Sequence, residues 1–174
     1  MIKPIVGGLL AALLLVGGVA IAKTVTGGHS AGHDYPEARS YAVSDDAMGD
    51  VDAALASASQ SDKRVLLVMG ANWCHDSRAL AGWLATDRFK ALIAEEYELV
   101  FVNVGTPQSE GDGHNLDVAQ RFGVDDLPGT PNVLVLTPEG ELLNADTATT
   151  WRDAASRGED AIYDELAMLA DKAS

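Results

Sequence analysis

Residues 70–80 read GANWCHDSRAL and hold the one cysteine of the chain, Cys74, between Trp73 and His75, with Asp76, Ser77 and Arg78 following. A thiolate is the nucleophile of sulfur chemistry, and a helix start favours it, because unpaired backbone N–H groups and the positive end of the helix dipole lie near the sulfur. Arg78 and a protonated His75 act in the same direction. Asp76 opposes them and is expected to turn toward solvent. Ser77 lies three residues on, so on a first helical turn its hydroxyl faces Cys74 and is expected to donate to the sulfur. The thiol is expected to be exposed. One cysteine cannot form an internal disulfide, so Cys74 is free, paired with another molecule, or buried and inert.

Other candidate sites are weaker. His29 and His33 are four apart and could join Cys74 or His114 around a soft metal, but they sit in a glycine-rich stretch without fixed geometry and read as solvated linker histidines. Glu110, Asp112 and Asp117 do not follow the spacing of a calcium loop and read as a solvated acidic loop. There is no phosphate loop and no Ser-His-Asp ordering, so neither a metal nor a cofactor is expected. Trp83 and Trp151 are assigned to packing.

The elements that must position Cys74 follow from periodicity. From Ser44, Met48, Val51, Leu55 and Ala58 recur at helical spacing. RVLLVMG, 64–70, is a short continuous apolar run, the pattern of a strand buried on both faces. The cysteine follows, and then a helix with Leu80, Trp83 and Leu84 on one face. A second helix, with Asp87 as its expected N-cap, carries Phe89, Leu92, Ile93 and Tyr97. ELVFVNVG, 98–105, repeats the strand pattern and implies a right-handed parallel crossover. Asn115 and Gly123 bracket a short helix. PNVLVLTPEGELL reads as a hairpin turning at Pro138 and Gly140. Ser156 and Glu159 form a candidate capping box for a last helix with Ile162, Leu166 and Leu169. The sum is a three-layer α/β sandwich, a central mixed sheet with helices on both faces.

Residues 1–22 run apolar after Lys3 and end in an A-x-A arrangement at Ala20 and Ala22, which reads as a signal peptide or an uncleaved N-terminal membrane anchor. Either places the remainder outside the cytoplasm, periplasmic or extracytoplasmic. Residues 23–43 read as a flexible linker and 44–174 as one domain. The net charge of −14 argues against nucleic acid and anionic lipid headgroups as partners. Contact with a membrane is expected only through the N-terminal segment, if uncleaved.

VLLVMGANWCHDSRAL followed by GTPNVLVLTPEGELL resembles the thioredoxin family, in particular exported thioredoxin-like proteins with the active-site form GANWC-x-x-C-R, over residues 44–171. The resemblance implies a thioredoxin fold in which Cys74 is the attacking cysteine, Trp73 the tryptophan before it, and Pro131 the cis-proline facing the thiol, with Thr130 before it. Trp73, His75, Thr130 and Pro131 then form the surface where substrate docks, and Cys74 and Ser77 are the catalytic pair. Ser77 departs from the family, standing where a resolving cysteine would be. The implied function is monothiol thiol-disulfide exchange or isomerisation on protein thiols or disulfides, with an external thiol for recycling. The alternative is a redox-silent binding or chaperone module using the same groove.

Overall fold

The computed structural model describes residues 35–105 and 115–173. The apolar segment 1–22, His29, His33, His114, Glu110 and Asp112 lie outside the described residues. The order is α1 (Ala47–Ser61), β1 (Arg64–Gly70), α2 (His75–Leu84), α3 (Asp87–Glu96), β2 (Tyr97–Asn103), α4 (Leu116–Arg121), β3 (Asn132–Leu136), a 3₁₀ helix (Trp151–Ser156) and α5 (Glu159–Ala170). Among these helices none is long and apolar enough to cross a membrane.

β1 is central. It pairs in parallel with β2, Val68 opposite Phe101, and antiparallel with β3, Val68 opposite Val133, giving the order β2-β1-β3. Successive side chains of a strand point to opposite faces, and both faces of β1 are covered. Leu66 and Val68 pack with Leu80, Phe89, Trp151 and Ile162 from α2, α3, the 3₁₀ helix and α5. Val65, Leu67 and Met69 pack with Val51, Ala58 and Val118 from α1 and α4. That burial on both sides is why RVLLVMG shows no alternation.

The second strand of the expected hairpin does not form. Only an isolated bridge joins Leu136 to Leu142. Asn144 takes the strand's place: its Oδ1 accepts from Val135 N at 2.9 Å and its Nδ2 donates to Val133 O at 2.9 Å. One buried side-chain amide thus satisfies two outer-edge groups of β3 as a neighbouring peptide unit would, while Ala148 O accepts from Val133 N and Leu143 N donates to Val135 O. Three boundaries also shift. Thr86, not Asp87, is the N-cap of α3, and Tyr97 opens β2 instead of closing a helix. Ser156 donates to Asp153 O within the 3₁₀ helix, and Gly158 caps α5, so the capping box does not form.

Residues 35–43 belong to the folded body, although their composition reads as linker. Tyr41 is fully buried. Pro36 lies against α2 so closely that a Cβ on Gly82 would fall 2.2 Å from its carbonyl oxygen, which explains a glycine inside that helix. We call this segment the strap.

Candidate functional site

The site forms where β1 ends and α2 begins. Gly70 closes the strand, residues 71–73 turn, and Cys74 is the N-cap of α2 with extended backbone. The cap carbonyl accepts from Arg78 N at 3.1 Å, so the helix starts at the cysteine as its place in the sequence suggests. The Thr130–Pro131 peptide opposite is cis. Cys74 Sγ donates to Thr130 O at 3.3 Å, so thiol and proline loop meet directly.

Three expectations for this turn are corrected. Cys74 is only 8 % exposed, because its side chain folds inward onto the 130–131 loop. Ser77 does not serve the sulfur: it is fully buried, and its Oγ accepts from Ala71 N at 3.3 Å, turned back toward the end of β1. Asp76 does not face water. Its Oδ1 accepts from Ala155 N at 2.8 Å in the 3₁₀ helix, and its Oδ2 lies 3.0 Å from Nε2 of the exposed His75. Folding that 3₁₀ helix against the start of α2 leaves an orphan amide, and the first-turn carboxylate satisfies it.

Arg78 is also committed elsewhere. Its Nε pairs with Glu37 of the strap at 3.0 Å, while its Nη1 donates to the carbonyls of Asn72 at 3.2 Å and Trp73 at 3.1 Å. The guanidinium therefore clamps the turn between strap and helix instead of facing the sulfur. Its fork of fixed donors suits that task.

Sequence reasoning missed the strap's part in the site. Tyr41 OH donates to Ser77 O at 3.1 Å, Tyr41 N donates to Asn72 Oδ1 at 3.3 Å, and Tyr41 O accepts from both Asn72 Nδ2 and Asn103 Nδ2 at 2.8 Å. Its ring meets Phe101 edge to face at 5.2 Å. Burial pushes the Tyr41 phenol well above its ordinary pKa; the Ser77 side-chain hydroxyl opposes the shift and nearby Cys74 adds to it. A Cβ on Gly70 would lie 2.5 Å from this ring and 2.8 Å from Ser77 Oγ, so the strand must end on glycine.

On the other side lies a groove of about 330 Å³ lined by Trp73, Val104, Leu116, Leu127, Pro128 and Thr130, among others. Trp73 is 48 % exposed, its indole N–H held by Gly105 O. Thr130 Oγ1 and Asn132 Oδ1 are buried and have no hydrogen-bond partner. The structure therefore brings Trp73, Cys74, Thr130 and Pro131 together, leaves His75 exposed, and turns the Ser77 hydroxyl to Ala71 N. Among the described residues no three His, Cys, Asp or Glu side chains converge as a metal site would require.

The thioredoxin-like family model matches residues 46–138, and the chain belongs to that family. Among solved structures it is similar to a disulphide isomerase from Xylella fastidiosa Temecula1, with 32% sequence identity and a TM-score of 0.68, covering 77% of this chain and 98% of that one. No curated protein matches the chain.

Proposed function

We infer that the chain is an extracytoplasmic monothiol exchange protein acting on protein thiols and disulfides through Cys74. The observation that carries this reading is the hydrogen bond between Cys74 Sγ and Thr130 O at 3.3 Å, which puts the sulfur at the N-terminus of α2 and against the Pro131 loop together. The likeness to a disulphide isomerase supports it, and the apolar 1–22 segment supports export. Sγ loses its proton and attacks one sulfur of a substrate disulfide. The other substrate sulfur leaves with the bonding electron pair and takes up a proton, and a mixed disulfide remains. Ser77 has no thiol to expel the product. Release therefore requires an outside thiol, or a second cysteine of the substrate, in which case the net result is isomerisation.

A second reading, a binding module that uses the groove without thiol chemistry, is favoured by the 8 % exposure of Cys74. Mixed-disulfide capture from the native envelope separates the two. The exchange reading expects partners covalently bound to Cys74 and lost in Cys74→Ala together with biological effect; a Cys74→Ala chain that keeps all binding and effect overturns it. Ser77→Cys alone is expected to confer turnover with an external reductant, since it restores the absent resolving step. A folded Ser77→Cys chain with a 74–77 disulfide and no turnover would move the binding reading to first place.

A further inference from the structure

We propose that His75 and Asp76 act as a proton-transfer pair that activates the outside thiol needed to free Cys74. This rests on the exchange reading above and assigns the release step to residues of this chain. His75 and Asp76 directly follow the nucleophile on the first turn of α2. The imidazole is exposed and its Nε2 lies 3.0 Å from Asp76 Oδ2, whereas the Asp76 side chain is only 10% exposed. The other carboxylate oxygen is fixed by Ala155 N at 2.8 Å, so the carboxylate is held from a second element and cannot swing away. With Nε2–H donating to Asp76, Nδ1 becomes the proton acceptor, and the carboxylate both selects that tautomer and stabilises the imidazolium that forms.

The need for such a pair follows from Ser77. Its hydroxyl is directed at Ala71 N and cannot resolve a mixed disulfide. An outside thiol near neutral pH is only about a few per cent thiolate, so an exposed base on the residue directly after the nucleophile addresses the slow part of release. In the step, His75 Nδ1 takes the proton of the incoming thiol RSH, and RS⁻ attacks the substrate sulfur of the mixed disulfide. The bond from that sulfur to Cys74 breaks, its electron pair leaves on Sγ, and the imidazolium returns the proton to Sγ. The outside thiol and the substrate sulfur end as a disulfide, and Cys74 is the thiol again, hydrogen-bonded to Thr130 O. When both sulfurs belong to one protein, the product is an isomerised disulfide.

The test isolates release. The full chain, His75→Gln and Asp76→Asn are each loaded at Cys74 with a cysteine-containing peptide as mixed disulfide, and the return of free Cys74, which marks transfer of the peptide sulfur to the outside thiol, is timed by mass with two outside thiols. One is an aliphatic thiol mostly protonated at the assay pH; the other is a fluorinated thiol ionised at that pH. With the aliphatic thiol, release is expected to slow about tenfold in His75→Gln and about threefold or more in Asp76→Asn, whose amide oxygen still accepts from Ala155. With the ionised thiol both variants should release within about twofold of the parent, because no proton remains to be taken. Equal losses with both thiols, or no loss with either, overturn the pair. Should Asp76→Asn fail to fold, His75→Gln decides, since its side chain is exposed. A parent chain that cannot be loaded at Cys74 overturns the exchange reading instead.

Discussion

The two sides of the Cys74 turn are built on opposite principles. On the strap side the N–H, C=O and O–H of Tyr41 are all hydrogen-bonded, and Arg78 ties Glu37 to two carbonyls of the turn. On the groove side an indole stands exposed, and the buried hydroxyl of the lining residue Thr130 has no partner. Buried polar groups left unpaired cost free energy that a saturated network does not. The strap side is therefore scaffolding, which holds the turn whether or not substrate is present. The groove side keeps donors and acceptors in reserve for what binds.

The largest effect should come from emptying the strap side. Tyr41→Ala removes a fully buried ring and the one side-chain hydrogen bond, from its hydroxyl to Ser77 O, and is expected to destabilise the fold by about 3–5 kcal/mol in urea unfolding. Cys74 should then be alkylated faster at the same pH, because the turn loses its backing. A loss below about 1 kcal/mol would mean that the strap merely dresses the surface and that the contrast between the two sides is wrong.

A smaller effect is expected from Tyr41→Phe, which keeps the ring against Phe101 and deletes one hydroxyl. It removes the buried phenol donor to Ser77 O and should cost about 1–2 kcal/mol. The variant also carries a pH signature. Burial raises the pKa of Tyr41 above the ordinary 10.0, and burial, then Glu96, raises that of Tyr97. A raised folded-state pKa means stability is fully present below the unfolded value near 10 and is lost as pH rises above it, since the unfolded phenol ionises first. The fall of stability above pH 10 should be shallower in Tyr41→Phe by about 1.4 kcal/mol per pH unit, with the Tyr97 share remaining. Unfolding at several alkaline pH values measures it.

The same division explains what was legible in the sequence. The order of elements around β1 and the cysteine at a helix start rest on periodicity and a local motif and can be read along the chain, whereas the encounter with Pro131 is implied by the resemblance to the thioredoxin family. Tyr41 is one of two tyrosines in residues 23–43, a stretch with no apolar repeat to mark it as core. Asn144 supplies two of the edge hydrogen bonds of a strand with a single side-chain amide, which leaves no alternation to detect. Asp76 in a first helical turn reads as solvated, and only the later 3₁₀ helix, itself without periodicity, turns it inward. Ser77 has the expected spacing, but the close approach of Tyr41 and Gly70 decides where its hydroxyl points. What escaped was long-range polar pairing, which spacing alone does not encode.

The smallest effect on stability, and the sharpest on the comparison, belongs to Thr130→Val. The substitution is nearly isosteric and deletes a buried hydroxyl that has no partner. Removing a group of that kind should leave stability unchanged or raise it by less than about 1 kcal/mol, the opposite sign to Tyr41→Phe although each variant loses one oxygen. If the hydroxyl is held in reserve for substrate, mixed-disulfide formation at Cys74 with a peptide disulfide should slow several-fold, while alkylation by a small reagent that does not reach the groove stays as in the parent. Unfolding curves and the two rates, measured on the same preparation, test both halves. Clear destabilisation by Thr130→Val would show that the hydroxyl contributes to the resting fold, and the groove side would then be scaffolding like the strap.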